Sequence, residues 1–156
     1  AYEDSYIPKG DDYFTEDSVL EDTDFFADVT VLSARLDSDS AHYTLRINSL
    51  VSKTGEESKT NITIESSTPY IMQENREYFI PLRKENGTYS MVFENAPQIE
   101  ISLDGDIVFQ NGWKSLDDDS GILKDSQKSK NDYFYDRMRY SSKNDLQDLL
   151  AKWRTM

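Results

Sequence analysis

The sequence predicts a mainly β fold, in which a small antiparallel barrel of about five to seven strands is followed by one or two C-terminal α-helices. Three observations predict it. Apolar and polar residues alternate in short segments from residue 25 onward, dipeptides typical of tight hairpins separate several of these segments, and the spacing becomes helical near the C-terminus. A chain of 156 residues is long enough for one domain of this kind.

Alternating apolar residues define the predicted strands. The first strand places Phe25, Ala27, Val29 and Val31 on one side, and the phase then shifts at Leu32. Such a shift is typical of a β-bulge or a strong bend. The alternation recurs further along the chain, at Tyr43, Leu45, Ile47, Ile62, Ile64, Tyr78, Ile80, Leu82, Tyr89, Met91, Phe93, Ile99, Ile101, Leu103, Ile107 and Phe109. An antiparallel sheet with one buried face needs this pattern, and so many short strands have to curl into a barrel or form a sandwich.

Turn residues fall between the predicted strands. Asn86-Gly87 and Asp104-Gly105 each separate two alternating segments. Both dipeptides accept the positive φ angles that two-residue hairpin turns need. Pro69 marks a further break, because proline cannot donate a hydrogen bond to a central ladder. Two hairpins are therefore predicted.

The C-terminal segment has a helical spacing. One stripe, at positions i, i+3, i+4 and i+7, consists of Leu146, Leu149, Leu150 and Trp153. Ser142 precedes Asp145 by three residues, a pair that predicts an N-terminal cap. Just upstream, residues 131–140 predict a shorter helix.

The chain divides into four predicted regions. Residues 1–24 form an acidic flexible arm or linker, 25–116 the antiparallel barrel, 117–130 a polar loop, and 131–156 a C-terminal helical segment packed on the barrel. The charge is concentrated at the front, since residues 1–28 contain ten acids and one base in a chain of net charge -13. Like charges at this density favour a solvated, self-repelling segment, and a flexible arm that docks on a basic partner is the alternative.

The charge and composition exclude several classes of function. A field of this sign repels phosphate backbones and anionic lipid surfaces, so nucleic acid is not expected as a partner. No apolar run approaches the roughly 20 residues of a membrane-spanning helix. The absence of cysteine excludes a disulfide framework, a thiol nucleophile and a Cys-ligated metal site.

Few residues suggest catalysis or metal binding. His42 is the only histidine, and a histidine base needs an orienting acid and a nucleophile held nearby. It follows a run of turn-forming residues, so we assign no catalytic residue. The aspartates at 117–119 resemble the start of a calcium loop, but Gly121 and Ile122 do not fit the EF-hand spacing. We expect no metal site and no cofactor, with calcium at residues 117–119 left open.

Aromatic and basic residues near the C-terminus form the candidate binding surface. They are Tyr133, Tyr135, Arg137, Tyr140 and Trp153. Such side chains bind single-stranded nucleic acid or sugars when a groove presents them, but at helical spacing they are more often packing residues. The partner expected here is a protein or a cell-envelope component.

Four segments carry a resemblance to a known family. They are residues 26–34 (FADVTVLSA), 43–47 (YTLRI), 77–82 (EYFIPL) and 101–109 (ISLDGDIVF). In this order they resemble bacterial exported proteins and lipoproteins with an OB-like barrel, similar to the netrin and tissue-inhibitor-of-metalloproteinase module, over about residues 26–116. Arg76 stands where this family usually has glycine, and the cysteines of the animal inhibitors are absent. The resemblance implies an OB-like fold and an extracytoplasmic setting, and it transfers no site residue.

Three functional hypotheses follow from these features. The first is a non-enzymatic extracytoplasmic binding module, tethered to a membrane as a lipoprotein, whose acidic arm links the barrel to a lipid anchor upstream of Ala1. The second is an acidic intracellular inhibitor or immunity-type protein whose carboxylates cover a basic partner. The third is a hydrolase that uses two carboxylates, which two acids facing each other in a cleft, one with a raised pKa, would support.

Overall fold

The computed structural model describes residues 16–38, 40–66, 71–92, 98–109 and 142–156. Within these ranges it contains two helices and eight antiparallel strands. The elements are α1 (Glu16–Asp22), β1 (Phe25–Leu36), β2 (Ala41–Val51), β3 (Glu56–Glu57), β4 (Asn61–Ser66), β5 (Glu77–Glu85), β6 (Thr88–Met91), β7 (Ile99–Ile101), β8 (Ile107–Phe109) and α2 (Asp145–Arg154). The predicted mainly β, antiparallel architecture with a C-terminal helix is confirmed.

Strand β1 lies near the centre of the sheet, between β2 and β5. It lies antiparallel to β2 over most of its length and to β5 over residues 25–30. Its register against β2 shifts between Asp28 and Val29 and again between Val31 and Ser33. A bulge bends a strand and increases its twist. The predicted phase shift after Val31 is confirmed, and the bends let one long strand serve both sides of a curled sheet.

The strand order curls the sheet into an OB-like half-barrel. Strands β3 and β4 follow one another along the outer edge of β2, while β6 and β7 follow one another along the outer edge of β5. Strand β8 pairs with β7. From opposite edges of the sheet, β4 and β6 lie against each other, and their side chains Ile64 and Tyr89 belong to one apolar core.

Both predicted hairpin turns are present. Asn86 (φ 51°) and Gly87 (φ 80°) join β5 to β6, and positive φ at both central residues is the geometry of a type I′ turn. Gly105 (φ 86°) lies in the turn between β7 and β8, where the N–H of Ser102 donates to the carbonyl of Asp106 at 2.8 Å. The turn residues therefore set the register of both hairpins.

Two apolar cores lie on opposite faces of the sheet. Successive residues of a strand point to opposite faces, so Ala27 belongs to the inner core while Phe26 belongs to the outer core, which also includes residues of α1 and α2. Phe26 stacks on Phe79 with 5.1 Å between ring centroids, and meets Trp153 edge-to-face at 4.9 Å. Helix α2 therefore covers the outer face of the sheet.

Helix α2 buries the whole predicted stripe, which consists of Leu146, Leu149, Leu150 and Trp153. Its start is fixed in two ways. The backbone N–H of Ser142 donates to Asp145 Oδ2 at 3.1 Å, which is one half of the predicted cap. The N–H of Lys143 donates to the carbonyl of Gly105 at 2.7 Å and ties the helix start to the β7–β8 hairpin. The predicted loop 117–130 and short helix 131–140 lie outside the described residues.

The prediction of a flexible N-terminal arm over residues 1–24 is wrong for its last third. Residues 16–22 form α1, in which Val19 and Leu20 are fully buried. Leu20 joins the outer core, and Lys152 of α2 contacts the Asp17 carboxylate at 2.9 Å. Leu20 docks this short helix although it lies in an acidic stretch, because the outer face of the sheet is apolar beneath it. Residues 1–15 of the predicted arm lie outside the described residues.

Candidate functional site

A polar cleft of about 770 Å³ opens where strands β1, β2 and β5 meet the β7–β8 hairpin and the residues before α2. We name it the charged cleft, and its lining includes Arg46, Arg76, Glu77, Glu100, Leu103 and Lys143. The strand register builds its floor, since Thr30 of β1 lies opposite Arg46 of β2 and opposite Glu77 of β5. Residues directly opposite each other in a sheet present their side chains on the same face.

Three charged residues at one side of the charged cleft, Asp28, Glu77 and Lys143, are joined by ion pairs. We name them the Lys143 triad. The Lys143 ammonium lies 2.9 Å from Asp28 Oδ2 and 3.0 Å from Glu77 Oε2. The other oxygen of Asp28 accepts a hydrogen bond from Asn48 Nδ2 at 3.2 Å. Because Lys143 lies two residues before the first residue of α2, this triad attaches the start of the helix to β1 and β5.

A second ion pair lies on the opposite wall of the charged cleft. Arg76 Nη1 lies 3.0 Å from Glu100 Oε2, and the Tyr78 hydroxyl donates to Glu100 Oε1 at 3.2 Å. Asn75 holds the preceding turn in a left-handed conformation (φ 66°), which asparagine tolerates better than most residues. Its N–H donates to the carbonyl of Val31 at 2.8 Å, which fixes Arg76 beside β1.

In the charged cleft, the acidic side chains are less exposed to solvent than the basic ones. Two of the three carboxylates are buried, with 7% of the Asp28 side chain and 8% of the Glu100 side chain exposed, and 25% of the Glu77 side chain is exposed. Their cationic partners are half exposed, at 49% for Lys143 and 47% for Arg76, and Arg46 is also exposed. The acids therefore lie behind the bases, and the solvent-facing surface of the cleft is mainly cationic.

The triad also shifts the protonation of its members. Burial, followed by the neighbouring Asp28 carboxylate, raises the pKa of Glu77, while Lys143 acts in the opposite direction. Hydrogen bonds to Asp28 and Glu77 raise the pKa of Lys143. The Lys143 contribution to stability is complete below the unfolded-state pKa of lysine and is lost as pH rises through its raised folded-state pKa. The raised pKa of Glu77 acts in the opposite sense, because a carboxyl group whose pKa is raised on folding costs stability once it is ionised. At neutral pH the stabilising contribution of the triad therefore comes from Lys143.

Tyr78 gives the charged cleft a measurable alkaline response. Burial raises the pKa of Tyr78 above its ordinary value of 10.0. Above pH 10 the unfolded chain releases this proton while the native state keeps it, so stability falls by up to about 1.4 kcal/mol per pH unit. Between pH 9 and 11 we expect wild type to lose about 1 kcal/mol more than Tyr78→Phe, measured by urea unfolding at each pH. Equal losses in the two proteins would contradict this assignment.

His42 lies in a separate pocket of about 590 Å³ at the other end of β1 and β2. Asp37 Oδ2 lies 2.6 Å and Ser40 Oγ 3.3 Å from the same ring nitrogen, Nε2. A serine–histidine–acid triad needs the acid on one ring nitrogen and the serine on the other. Glu65 approaches Nδ1 only to 3.9 Å. This arrangement orders the β1–β2 turn and does not form a catalytic relay.

Asp28 and Glu77 are the pair of facing acids that the hydrolase hypothesis requires, and the pKa of Glu77 is raised. In a glycosidase, the two carboxyl groups flank the scissile bond. The space between them admits a water molecule, or lets one carboxylate attack the sugar directly. Here the Lys143 ammonium bonds to both carboxylates from that position. The geometry favours an ion triad over an acid–base pair.

Of the five predicted binding residues, the structure describes only Trp153. Tyr133, Tyr135, Arg137 and Tyr140 lie outside the described residues. Trp153 is fully buried in the outer core, so the prediction that it contributes to a binding surface is wrong. Its place in the apolar stripe of α2 explains this, because that stripe faces the sheet.

Sequence reasoning missed the residues of the charged cleft. Thr30, Arg46 and Glu100 occupy polar positions in alternating strands, where solvent exposure is the default expectation. The pairing of β1 with β2 and β5, and of β5 with β7, brings them together with Lys143, which lies more than 40 positions after Glu100 in the chain. No local pattern in the sequence signals such a site.

The comparisons with known proteins leave the family open. No protein-family model matches the chain, and no curated protein matches it. Neither of the two described helices is long and apolar enough to cross a membrane. Within the described ranges, no three His, Asp or Glu side chains are grouped so that they could hold a metal ion, and residues 117–119 lie outside those ranges.

Proposed function

We propose that the protein is a non-enzymatic binding module that engages a protein or cell-envelope component through the charged cleft. The observation that carries this proposal is the burial of Asp28 and Glu100 behind half-exposed cations. Carboxylates that are buried and ion-paired hold their partners in place, while the outward sides of Lys143 and Arg76 remain available for contacts. A cleft built in this way presents fixed hydrogen-bond donors to a partner.

Leu103 supports a macromolecular partner. This leucine lines the charged cleft, lies at the tip of the β7–β8 hairpin and is fully exposed. An exposed large apolar side chain beside oriented polar groups is typical of interaction surfaces, in which an apolar anchor is surrounded by polar contacts. The extracytoplasmic, membrane-tethered setting is part of the proposal and is supported by the resemblance to exported OB-like proteins.

Partner capture with matched variants tests the proposal. Leu103→Asp changes the rim of the charged cleft, and Leu36→Asp makes the same change at an exposed leucine at the far end of β1, outside the cleft. Both proteins should fold, because each replaced side chain is already exposed. From an envelope extract of the source cells, we expect wild type and Leu36→Asp to capture the same partner in equal amounts. Leu103→Asp should capture at least about tenfold less of that partner. Equal capture by all three proteins would contradict a binding role for the cleft.

A further inference from the structure

We infer that the charged cleft recognises a carboxylate of a peptide partner, bound by the outward sides of Arg46 and Arg76. This inference rests on the proposed function and specifies the ligand of the same site. The carboxylate comes from an Asp or Glu side chain or from a chain terminus, two sources of one chemistry that the experiment below separates.

Arg46 is the first element of the argument, because its charge is not neutralised by a neighbour that the structure describes. Its only described hydrogen bond runs from Nη2 to the Thr30 hydroxyl at a long 3.4 Å. Among residues 16–38, 40–66, 71–92, 98–109 and 142–156, it forms no ion pair with a carboxylate. A guanidinium carries five N–H donors, so most of the donors of Arg46 face the charged cleft without a described partner.

Arg76 is the second element, because its position is fixed and only part of its donor set is used. Glu100 contacts Nη1 alone, and the Asn75 turn holds the backbone against β1. With about half of its side chain exposed, Arg76 points the rest of its planar donor fork outward. Planar donor forks match the two oxygens of a carboxylate, which makes arginine suited to this ligand.

The net charge of -13 determines which kind of anion can bind. A polyanion such as a nucleic acid meets the repulsion of the whole chain. A single carboxylate mainly meets the nearest charges, because the Debye length at physiological ionic strength is about 8 Å. Asp17 of the acidic front contacts Lys152, which at 1.5 Å per helical residue lies roughly 10 Å along α2 from its first residue, Asp145, and Lys143 precedes that residue. The local cations therefore dominate within the charged cleft.

Leu103 favours a peptide over a free small acid. It stands fully exposed at the mouth of the charged cleft, next to the groups that would hold the carboxylate. An apolar side chain beside the bound acid would cover Leu103, whereas a free small acid would leave it exposed. The expected ligand is therefore an acidic residue or a chain end with an apolar neighbour.

Titration with short peptides tests the inference on the full chain. The probe acetyl-Gly-Leu-Glu-Gly-amide carries a side-chain carboxylate, acetyl-Gly-Leu-Gly with a free C-terminus carries a terminal one, and acetyl-Gly-Leu-Gln-Gly-amide carries none. Binding is followed by amide chemical-shift changes in wild type, in Arg46→Gln and in the control Arg83→Gln. Arg83 is exposed on β5 and lies outside the charged cleft, so its replacement removes the same charge elsewhere.

We expect at least one acidic peptide to shift the resonances of the charged cleft and the Gln peptide to bind at least about tenfold more weakly. Arg46→Gln should weaken the acidic peptide by a similar factor, while Arg83→Gln should not. The acidic peptide that binds more tightly identifies the source of the carboxylate. Equal binding of the acidic and Gln peptides, an unchanged affinity in Arg46→Gln, or no binding of either acid overturns the inference. The proposed function fails separately, if Leu103→Asp retains its partner.

Discussion

Trp153→Ala is expected to lower the free energy of unfolding by about 3–5 kcal/mol, which is the usual cost of removing a large aromatic side chain from a core. Trp153 has no exposed surface and meets the ring of Phe26 edge-to-face. Its removal leaves a cavity between α2 and the outer face of the sheet that rigid neighbours on both sides cannot fill. Urea unfolding followed by circular dichroism measures the loss.

Gln147→Ala is the matched control for this prediction. Gln147 lies on the same helix but is exposed, so we expect a change within about 0.5 kcal/mol. If Trp153→Ala were as mild as its control, α2 would not be part of the folded core.

A second large loss of stability is expected when the Lys143 triad is broken. Lys143→Met leaves the buried carboxylate of Asp28 beside Glu77 without its cation. Breaking a fully buried pair costs about 3–5 kcal/mol, and because Lys143 is half exposed we expect about 2–3 kcal/mol at neutral pH. The loss should shrink as pH falls toward the raised pKa of Glu77, because the protonated carboxyl group no longer needs the cation.

Two further variants isolate the charge effect at the triad. Asp28→Asn combined with Lys143→Met removes the buried carboxylate together with its cation. This double variant should be more stable than Lys143→Met alone. Lys152→Met breaks the Lys152–Asp17 pair, in which the lysine is half exposed like Lys143 but the Asp17 side chain is 68% exposed, and should cost no more than about 1 kcal/mol. Equal losses for Lys143→Met and Lys152→Met would show that burial of the triad has no energetic consequence.

Much of the inner face of the sheet could be predicted from the sequence, because the inner-core residues of a strand recur at every second position. Phe25, Ala27, Val29 and Val31 all belong to the inner core, and both glycine-containing turns are present. The prediction was weaker where both faces of a strand are covered. In β7, Ile99, Glu100 and Ile101 are all buried: the two isoleucines belong to the outer core, and Glu100 is held by hydrogen bonds from Arg76 and Tyr78.

Phe26 shows why the outer core could not be predicted in full. In an alternating strand it looked like an interruption of the pattern, yet it is the point where Phe79 and Trp153 meet β1. A period-two pattern reports which residues share a face but not whether a helix covers the opposite face. The same limit explains α1, since Leu20 is buried in the outer core on the face that the helices cover.

The charged cleft depends on tertiary structure for a further reason. Its charged residues come from β2, β5, β7, the turn before β5 and Lys143, two residues before α2, so their proximity is a property of the tertiary structure. The acidic composition suggested repulsion of anions everywhere on the surface. Burial of Asp28 and Glu100 reverses the sign locally, which composition cannot reveal.

Proton NMR on the Trp153 indole tests the central claim, that α2 packs on the outer face of the β-sheet and thereby holds the preceding Lys143 in the charged cleft. Trp113→Phe assigns the remaining indole resonance without ambiguity, because the chain has two tryptophans. We expect strong nuclear Overhauser effects from the Trp153 ring to the Phe26 ring, and an indole N–H that exchanges slowly with solvent. A rapidly exchanging indole N–H without contacts to Phe26 or Phe79 would contradict the arrangement.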